Sequence, residues 1–397
     1  MTGEHQILDP ISDAELARRW ALVREAMARR GLQALVMQAT NDWLGGYVKY
    51  FTDIPANNGY PRTVIFHANR PMTIVEMGPF EGRKRLGGED PMHRGVEDIL
   101  QTPSFPSIAY TIRYDGDLVA QELTRAGYRS VGLVNPGAFL HGFLGRIQAA
   151  SPEPTWSDAT DLVDAIKAVK SEEEQELVRR AARLQDEVFA RVARRIEPGM
   201  RDIDVTTFAQ SVAQELGSEQ GIFLGASARL GVRSPFLGRH FQGRTLQSGD
   251  HLSLLIEVNG PGGMYTELAR TLVLGKAPTR LLDAFASVVE AQRHTLDLLK
   301  PGVLCRDVAA AHNDWMTARG LPAEMRLYAH GQGYDMVERP IIRADEPMRI
   351  SAGMNMAVHP GFETPELFAV VCDNYLIHAD GGSEALHLTD KTVFQID

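Results

Sequence analysis

Two Pro-Gly pairs, Pro198-Gly199 and Pro301-Gly302, stand about a hundred residues apart, and each interrupts the same succession of elements. A long helical stretch precedes the pair, and a second helix and then strands follow it. Proline lacks the N–H a helix needs, and glycine tolerates the left-handed turn that ends one. Arg195-Ile196-Glu197-Pro198-Gly199-Met200 leads to Asp202, and Leu299-Lys300-Pro301-Gly302-Val303 leads to Arg306-Asp307. Self-similarity of this length suggests two related halves packed about a pseudo-two-fold axis. Coincidence is the alternative, because a Pro-Gly stop between helices is a common device.

The chain is too long for one core. It has 397 residues, and domains usually run to about 100–200 residues. Two domains are expected, residues 1–158 and 159–397. In the first, Ser12 and Glu15 read as a capping box. Leu16, Trp20, Val23 and Met27 then recur at helical spacing up to Arg30. Strands are expected at Ala34–Met37, Thr63–Phe66, Met72–Val75 and Ser130–Val134, with helices between them, which gives an α/β domain. The second opens on a helix capped by Ser171. Its acidic start, Glu172-Glu173-Glu174, suits the positive end of the helix dipole, and it should run to about Arg195.

Charge and cysteine content exclude several classes. The formal net charge of −10 argues against nucleic-acid binding, which needs a basic surface. Arg18, Arg19, Arg24, Arg29 and Arg30 read as a solvated helix face. The two cysteines, Cys305 and Cys372, are far apart in sequence and cannot organise a disulfide framework. The N-terminus lacks the basic and apolar regions of a signal peptide, and no apolar run is long enough to span a membrane. A cytoplasmic protein with no membrane partner is expected.

The most informative stretch is Gly249-Asp250-His251-Leu252-Ser253-Leu254-Leu255, followed by Gly263-Met264-Tyr265-Thr266-Glu267-Leu268-Ala269-Arg270-Thr271. It resembles the superfamily of creatinase, aminopeptidase P and methionine aminopeptidase, which pairs a Gly-Asp turn with a strand reading Gly-Tyr-x-x-Asp-x-x-Arg-Thr. His330-Gly331-x-Gly333, then Gly353-Met354 with His359-Pro360-Gly361, then Asp373 with Tyr375-Leu376-Ile377, extend the resemblance in the same order. It implies an α+β chain: a C-terminal pita-bread domain preceded by a smaller α/β domain like that of creatinase.

In the metallopeptidases of this superfamily two metal ions are held by two Asp, one His and two Glu. By the resemblance, Glu267 stands at the second Asp position and His330 keeps the His. His359 replaces the first Glu, and Cys372, with Asp373 beside it, replaces the second. Counting from Asp250 puts Leu255 at the first Asp position, with Glu257 further along the same strand face. A dinuclear site is disfavoured, because the bridging carboxylate has become an imidazole. A single divalent metal and a metal-free acid/base site both remain open, and creatinase, which has lost the ligands, favours the latter.

The resemblance implies further site residues. His240 lies near the family's upstream histidine, and histidine can take and give a proton near neutrality; a surface loop is the alternative. Arg233 and Arg239 could hold a substrate carboxylate or simply face solvent. Gly331 and Gly333 follow His330, which lets backbone approach a ligand. Glu257 and Glu267 could form a carboxylate pair with separated pKa values. Val337 stands where peptidases carry a substrate-contacting histidine, which argues against peptide hydrolysis; Glu338 beside it could line the pocket or pair with Arg339. Tyr265 could bind substrate or merely pack. Tyr60 and Arg62, just before a strand, have the spacing of residues that reach a partner's site in creatinase-like dimers, which implies a homodimer.

The expected function is therefore catalytic: cleavage of a C–N bond in a small polar compound, amino acid-, amide- or amidine-like, by acid/base chemistry. The alternatives are a lyase of the dimethylsulfoniopropionate-cleaving type, a mononuclear-metal aminopeptidase, and a non-catalytic binding protein.

Overall fold

In a computed structural model that describes residues 7–397, the chain divides into two compact units, Met1–Lys167 and Ala168–Asp397. The reading of the extreme N-terminus, residues 1–6, lies outside the described residues. Among the described residues no helix is long and apolar enough to cross a membrane.

The first unit is built on one mixed sheet. Its helices are α1 (Asp13–Arg29), α2 (Gly46–Thr52), α3 (Ile112–Arg125), α4 (His141–Ala150) and α5 (Thr160–Lys167). Its strands are β1 (Ala34–Ala39), β2 (Arg62–His67), β3 (Met72–Met77), β4 (Gly82–Arg85), β5 (Val96–Thr102), β6 (Ser130–Leu133) and β7 (Thr155–Asp158), in the order β4-β5-β3-β2-β1-β6-β7. Ser12 caps α1 by accepting from the Glu15 amide. Strands β1 and β2 are buried along their whole length, as expected of strands covered on both faces. Phe139, Phe143 and Ile147 of the α4 region pack against Val36, Ile65 and Val75 of the sheet.

The second unit carries the duplication in its backbone. The first half contains α6 (Glu172–Arg195), α7 (Asp202–Glu215), β8 (Gly221–Leu224), β9 (Ser227–Arg229), β10 (Asp250–Asn259) and β11 (Tyr265–Leu274). The second contains α8 (Thr279–Leu298), α9 (Cys305–Ala318), β12 (Ala329–Gly331), β13 (Glu338–Ile341), β14 (Asn355–Val358), the hairpin β15 (Gly361–Thr364) and β16 (Leu367–Val370), β17 (Asp373–Ile377) and β18 (Ser383–Ala385). A last strand, β19 (Phe394–Ile396), returns to pair with β11.

Hydrogen bonds around the two Pro-Gly turns correspond one to one. The Gly199 and Gly302 amides donate to Leu246 and Ile350 carbonyls, at 2.9 and 2.8 Å. Both glycines have positive φ, 98° and 92°. The amides of Leu246 and Ile350 return bonds to Met200 and Val303. Each long helix also sends one buried glutamine onto the sheet beneath it: Gln185 donates to the Val258 carbonyl and Gln292 to the Val358 carbonyl. This shared pattern supports a duplicated unit over coincidence.

The halves are joined edge to edge. Sheet β19-β11-β10-β8 and sheet β13-β12-β14-β17-β18 meet where Ala269 and Cys372 exchange backbone hydrogen bonds of 3.2 and 3.4 Å. Helix α6 is held at its start by a complete capping box between Ser171 and Glu174. Helices α6 and α7 cover the first sheet, while α8 and α9 cover the second. Side chains at the seam that face away from these helices converge on one buried point.

Candidate active site

Strands β10 and β11 form an antiparallel pair buried at every residue, and in their register Glu257 lies directly opposite Glu267. Two carboxylates so placed in a buried pair cannot both ionise cheaply. Burial and the neighbouring charge of Glu267 hold the Glu257 carboxyl well above the usual carboxylate range, which favours its protonated form. Burial acts on Glu267 in the same sense, but the imidazoles of His359 and His330 and the Cys372 thiol outweigh it and bring its pKa down to about 2. The pair therefore offers one acid and one anion from the same residue type.

Strand β12 brings His330 in from the second half. Its Nδ1 lies 2.9 Å from the Gly331 carbonyl. A carbonyl can only accept, so Nδ1 carries a hydrogen, and Nε2 on the far side of the ring lies 3.6 Å from Glu267 Oε2. His359 follows β14, and its Nε2 lies 3.8 Å from Glu267 Oε1. That nitrogen is buried with no hydrogen-bond partner. Burial outweighs the attraction of Glu267 and pushes the His359 pKa down to about 4, so the ring is neutral at physiological pH. The two rings meet edge to face, 5.2 Å apart.

Cys372 donates its S–H to Glu267 Oε1 at 2.8 Å. It is fully buried beside an anion, which pushes the thiol well above its ordinary pKa and keeps it protonated. Cys305 is also buried, and its thiol is pushed up to about 12. Thiolates are the reactive form. A thiol reagent such as dithionitrobenzoate should therefore modify neither cysteine in the native protein and both after denaturation; rapid labelling of Cys372 in the native state would contradict the site geometry.

One carboxylate oxygen of Glu267 and one ring nitrogen from each of His330 and His359 lie within 4.8 Å of one another. Two imidazoles and a carboxylate are a donor set that holds zinc or iron in other catalytic sites. The unpartnered Nε2 of His359 fits a divalent cation held by these three residues. Leu255, at the first Asp position, packs in an apolar cluster with Ala269 and Cys372, and Cys372 is a donor rather than a ligand.

The site also contains residues that sequence reasoning missed. Gln332 Nε2 donates to Glu257 Oε1 at 2.9 Å and lies 3.5 Å from Glu267 Oε2. Asn374 Nδ2 donates to Gln332 Oε1 at 2.8 Å and to Asn355 Oδ1 at 3.1 Å. Asn374 Oδ1 accepts from the Glu267 amide at 2.7 Å. All three amides are buried. They occupy unspecified positions inside the recognised motifs, and the only signal was an amide side chain recurring at each.

The other expected site residues have different surroundings. Asp373 is buried, but it faces the helix side of β17, bonded to Arg270 Nη2 at 2.6 Å and Gln292 Nε2 at 3.0 Å. Alternation along a strand puts Cys372 and Asn374 on one face and Asp373 on the other. Glu338 is buried in an ion pair with Lys170 at 2.8 Å and takes the Asp335 amide. It is a brace of the loop after His330, not an open pocket group. Tyr265 is buried at the start of β11, its amide bonded to the Gly333 carbonyl. His240 and Arg239 are exposed on a short turn, and Arg233 pairs with Glu363 at 3.0 Å; none of them bonds to the Glu267 cluster. In the first unit Tyr60 is exposed against Phe105. Arg62 is buried, with its guanidinium committed to Glu76 at 3.0 Å and to the Pro55 carbonyl.

Solved structures with this architecture are those of Xaa-Pro-cleaving and related peptidases. The X-Pro aminopeptidase of Thermotoga maritima MSB8 superposes with a TM-score of 0.78 at 14% identity, covering 95% of this chain and 99% of that one. Dipeptidase PepE of Mycobacterium ulcerans gives 0.76 at 21% identity, covering 98% and 99%. The fold is therefore the pita-bread fold. The model of metallopeptidase family M24 matches residues 176–379, just over half of the chain, and the chain belongs to that family. The probable dipeptidase PepE of Mycobacterium tuberculosis (strain ATCC 25618 / H37Rv) is 27% identical over 234 residues, spanning 58% of this chain but only 61% of that protein. Creatinase of Bacillus sp. (strain B-0618) is 23% identical over 393 residues, spanning 92% of this chain and 87% of creatinase.

Proposed function

We propose that this chain hydrolyses a C–N bond in a small polar compound, amide-, amidine- or amino acid-like, by acid/base chemistry among its own side chains. The observation that carries this reading is the facing pair of Glu257, its carboxyl raised well above the usual range, and Glu267, its carboxyl lowered to about 2, beside the unpartnered Nε2 of His359. Hydrolysis of a C–N bond needs a base for water and an acid for the departing nitrogen. His359 Nε2 is the base: it takes a proton from water as the oxygen attacks the substrate carbon. Glu257 gives its proton to the departing nitrogen. Glu267 stabilises the imidazolium formed on His359, while the Cys372 thiol holds its Oε1 in place. The proton on His359 then returns to Glu257 through solvent, which restores the starting state.

A second reading is supported by the convergence of Glu267, His330 and His359. A single divalent cation bound by these three would supply Lewis-acid polarisation of a carbonyl or a water. Similarity to dipeptidases along three-fifths of their length keeps peptides among the substrates to be tested. Similarity to creatinase along most of both chains supports the small-molecule reading. The proposal includes a cytoplasmic homodimer in which the first unit of one copy completes the site of the other, with exposed Tyr60 as the contributing residue.

The test is release of amine or ammonia from a panel of amidines, amides and dipeptides, before and after exhaustive chelation. Retained turnover of a non-peptide substrate in the metal-free protein, abolished by His359→Ala, is expected. Activity confined to dipeptides and dependent on two equivalents of metal would sink the proposal. Activity restored by a single equivalent would support the second reading.

A further inference from the structure

We infer that Gln332 occupies the place of a second cation, so that this site takes at most one metal ion. The argument rests on hydrogen-bond polarity. A backbone N–H can only donate, so the Asn374 atom 2.7 Å from the Glu267 amide is its oxygen. The Asn374 nitrogen must then face Gln332, whose oxygen accepts it at 2.8 Å. The Gln332 nitrogen is thereby directed at the carboxyls of Glu257 and Glu267, at 2.9 and 3.5 Å. Asn355 completes the lock: it accepts from Asn374 and donates to the Gln332 carbonyl at 3.1 Å. No member of this chain can flip without leaving buried donors facing each other, which costs on the order of 1–3 kcal/mol per group.

The Gln332 amide nitrogen thus presents two hydrogens to two carboxyl groups. A divalent cation bridging those carboxyls would need oxygen ligands around the same point. It would meet instead the positive end of an amide dipole. The neutral amide satisfies both carboxyls without bringing a charge into a buried site, where an ion must be strongly coordinated to be tolerated. Replacement of one bridging ligand by His359 and placement of Gln332 between the remaining acids act in the same direction.

The inference rests on Glu257 and Glu267 as the working carboxyls, and is independent of which reaction they serve. Gln332→Glu keeps the shape and turns the donor into an oxygen ligand. Isothermal titration with MnCl2 after chelation, checked by elemental analysis, should show one more equivalent per chain in Gln332→Glu than in the wild-type protein, which binds none or one. Two equivalents at the wild-type site, or an unchanged stoichiometry in folded Gln332→Glu, overturns the inference. If three neighbouring carboxyls prevent folding, Gln332→Ala decides. A gained, weaker equivalent supports the inference, and unchanged stoichiometry overturns it. An inactive protein with the expected stoichiometries would defeat the proposed reaction but not this assignment.

Discussion

Replacing Arg270 with leucine is expected to destabilise the second unit by about 3–5 kcal/mol, the usual cost of removing one partner from a buried ion pair. Arg270 is completely buried, and its guanidinium satisfies five acceptors. These are Asp373 Oδ1 and the carbonyls of Ala269, Cys372, Thr389 and Asp390. Leucine would fill part of the space and leave the Asp373 carboxylate with Gln292 as its remaining close donor. Removing the second charge as well should relieve part of the loss, because the larger penalty is an uncompensated buried charge. Arg270→Leu combined with Asp373→Leu should therefore unfold at a higher urea midpoint than Arg270→Leu alone, followed by circular dichroism. Equal midpoints for Arg270→Leu and wild type would show that the pair is not a brace.

Arg270 also shows what the sequence could and could not disclose. As part of Arg270-Thr271 it was recognisable as a motif residue, but its task depends on three chain segments that meet only in the folded unit. The helices were readable because their signals are local. Ser171 and the acids after it start α6 as expected, and Pro198-Gly199 ends it. In the first sheet β1, β2, β3 and β6 were readable from short apolar runs. Short strands such as β8, β12 and β13 were not, since their pairing partners lie far away in sequence and their few residues carry no clear alternation.

The site divides in the same way. The motif order implied a common centre for Glu267, His330 and His359, and one potential ligand atom of each lies within 4.8 Å of the others. Glu257 joined them through strand alternation, a local rule. The identity of Cys372 was legible, but its role as a proton donor to Glu267 was not, because that depends on burial beside an anion. Asp373, one residue further, points the other way. Gln332 was invisible for a related reason: an amide becomes informative only when its partners fix which end is the donor.

The two carboxyls should separate experimentally through both turnover and pH. Glu267→Gln removes the anion that stabilises protonated His359, and Glu257→Gln removes the acid. Each should lower turnover of the substrate found by the panel by about 10²–10⁴-fold, with the fold retained. Their stabilities should respond to pH in opposite regions, measured by thermal unfolding in chelator. The Glu267 pKa is lowered from 4.5 to about 2 in the folded protein. Its contribution is present above pH 4.5 and fades as pH falls towards 2, so the gap between wild type and Glu267→Gln should close on acidification. Glu257 is shifted the other way. Its contribution is complete below pH 4.5 and fades as pH rises through its folded pKa, because a buried carboxylate must then form beside Glu267. Glutamine does not titrate, so Glu257→Gln should gain stability relative to wild type as pH rises. If both variants keep a constant offset from wild type across the pH range, the carboxyls do not differ in protonation, and Glu257 cannot be the acid that releases the nitrogen.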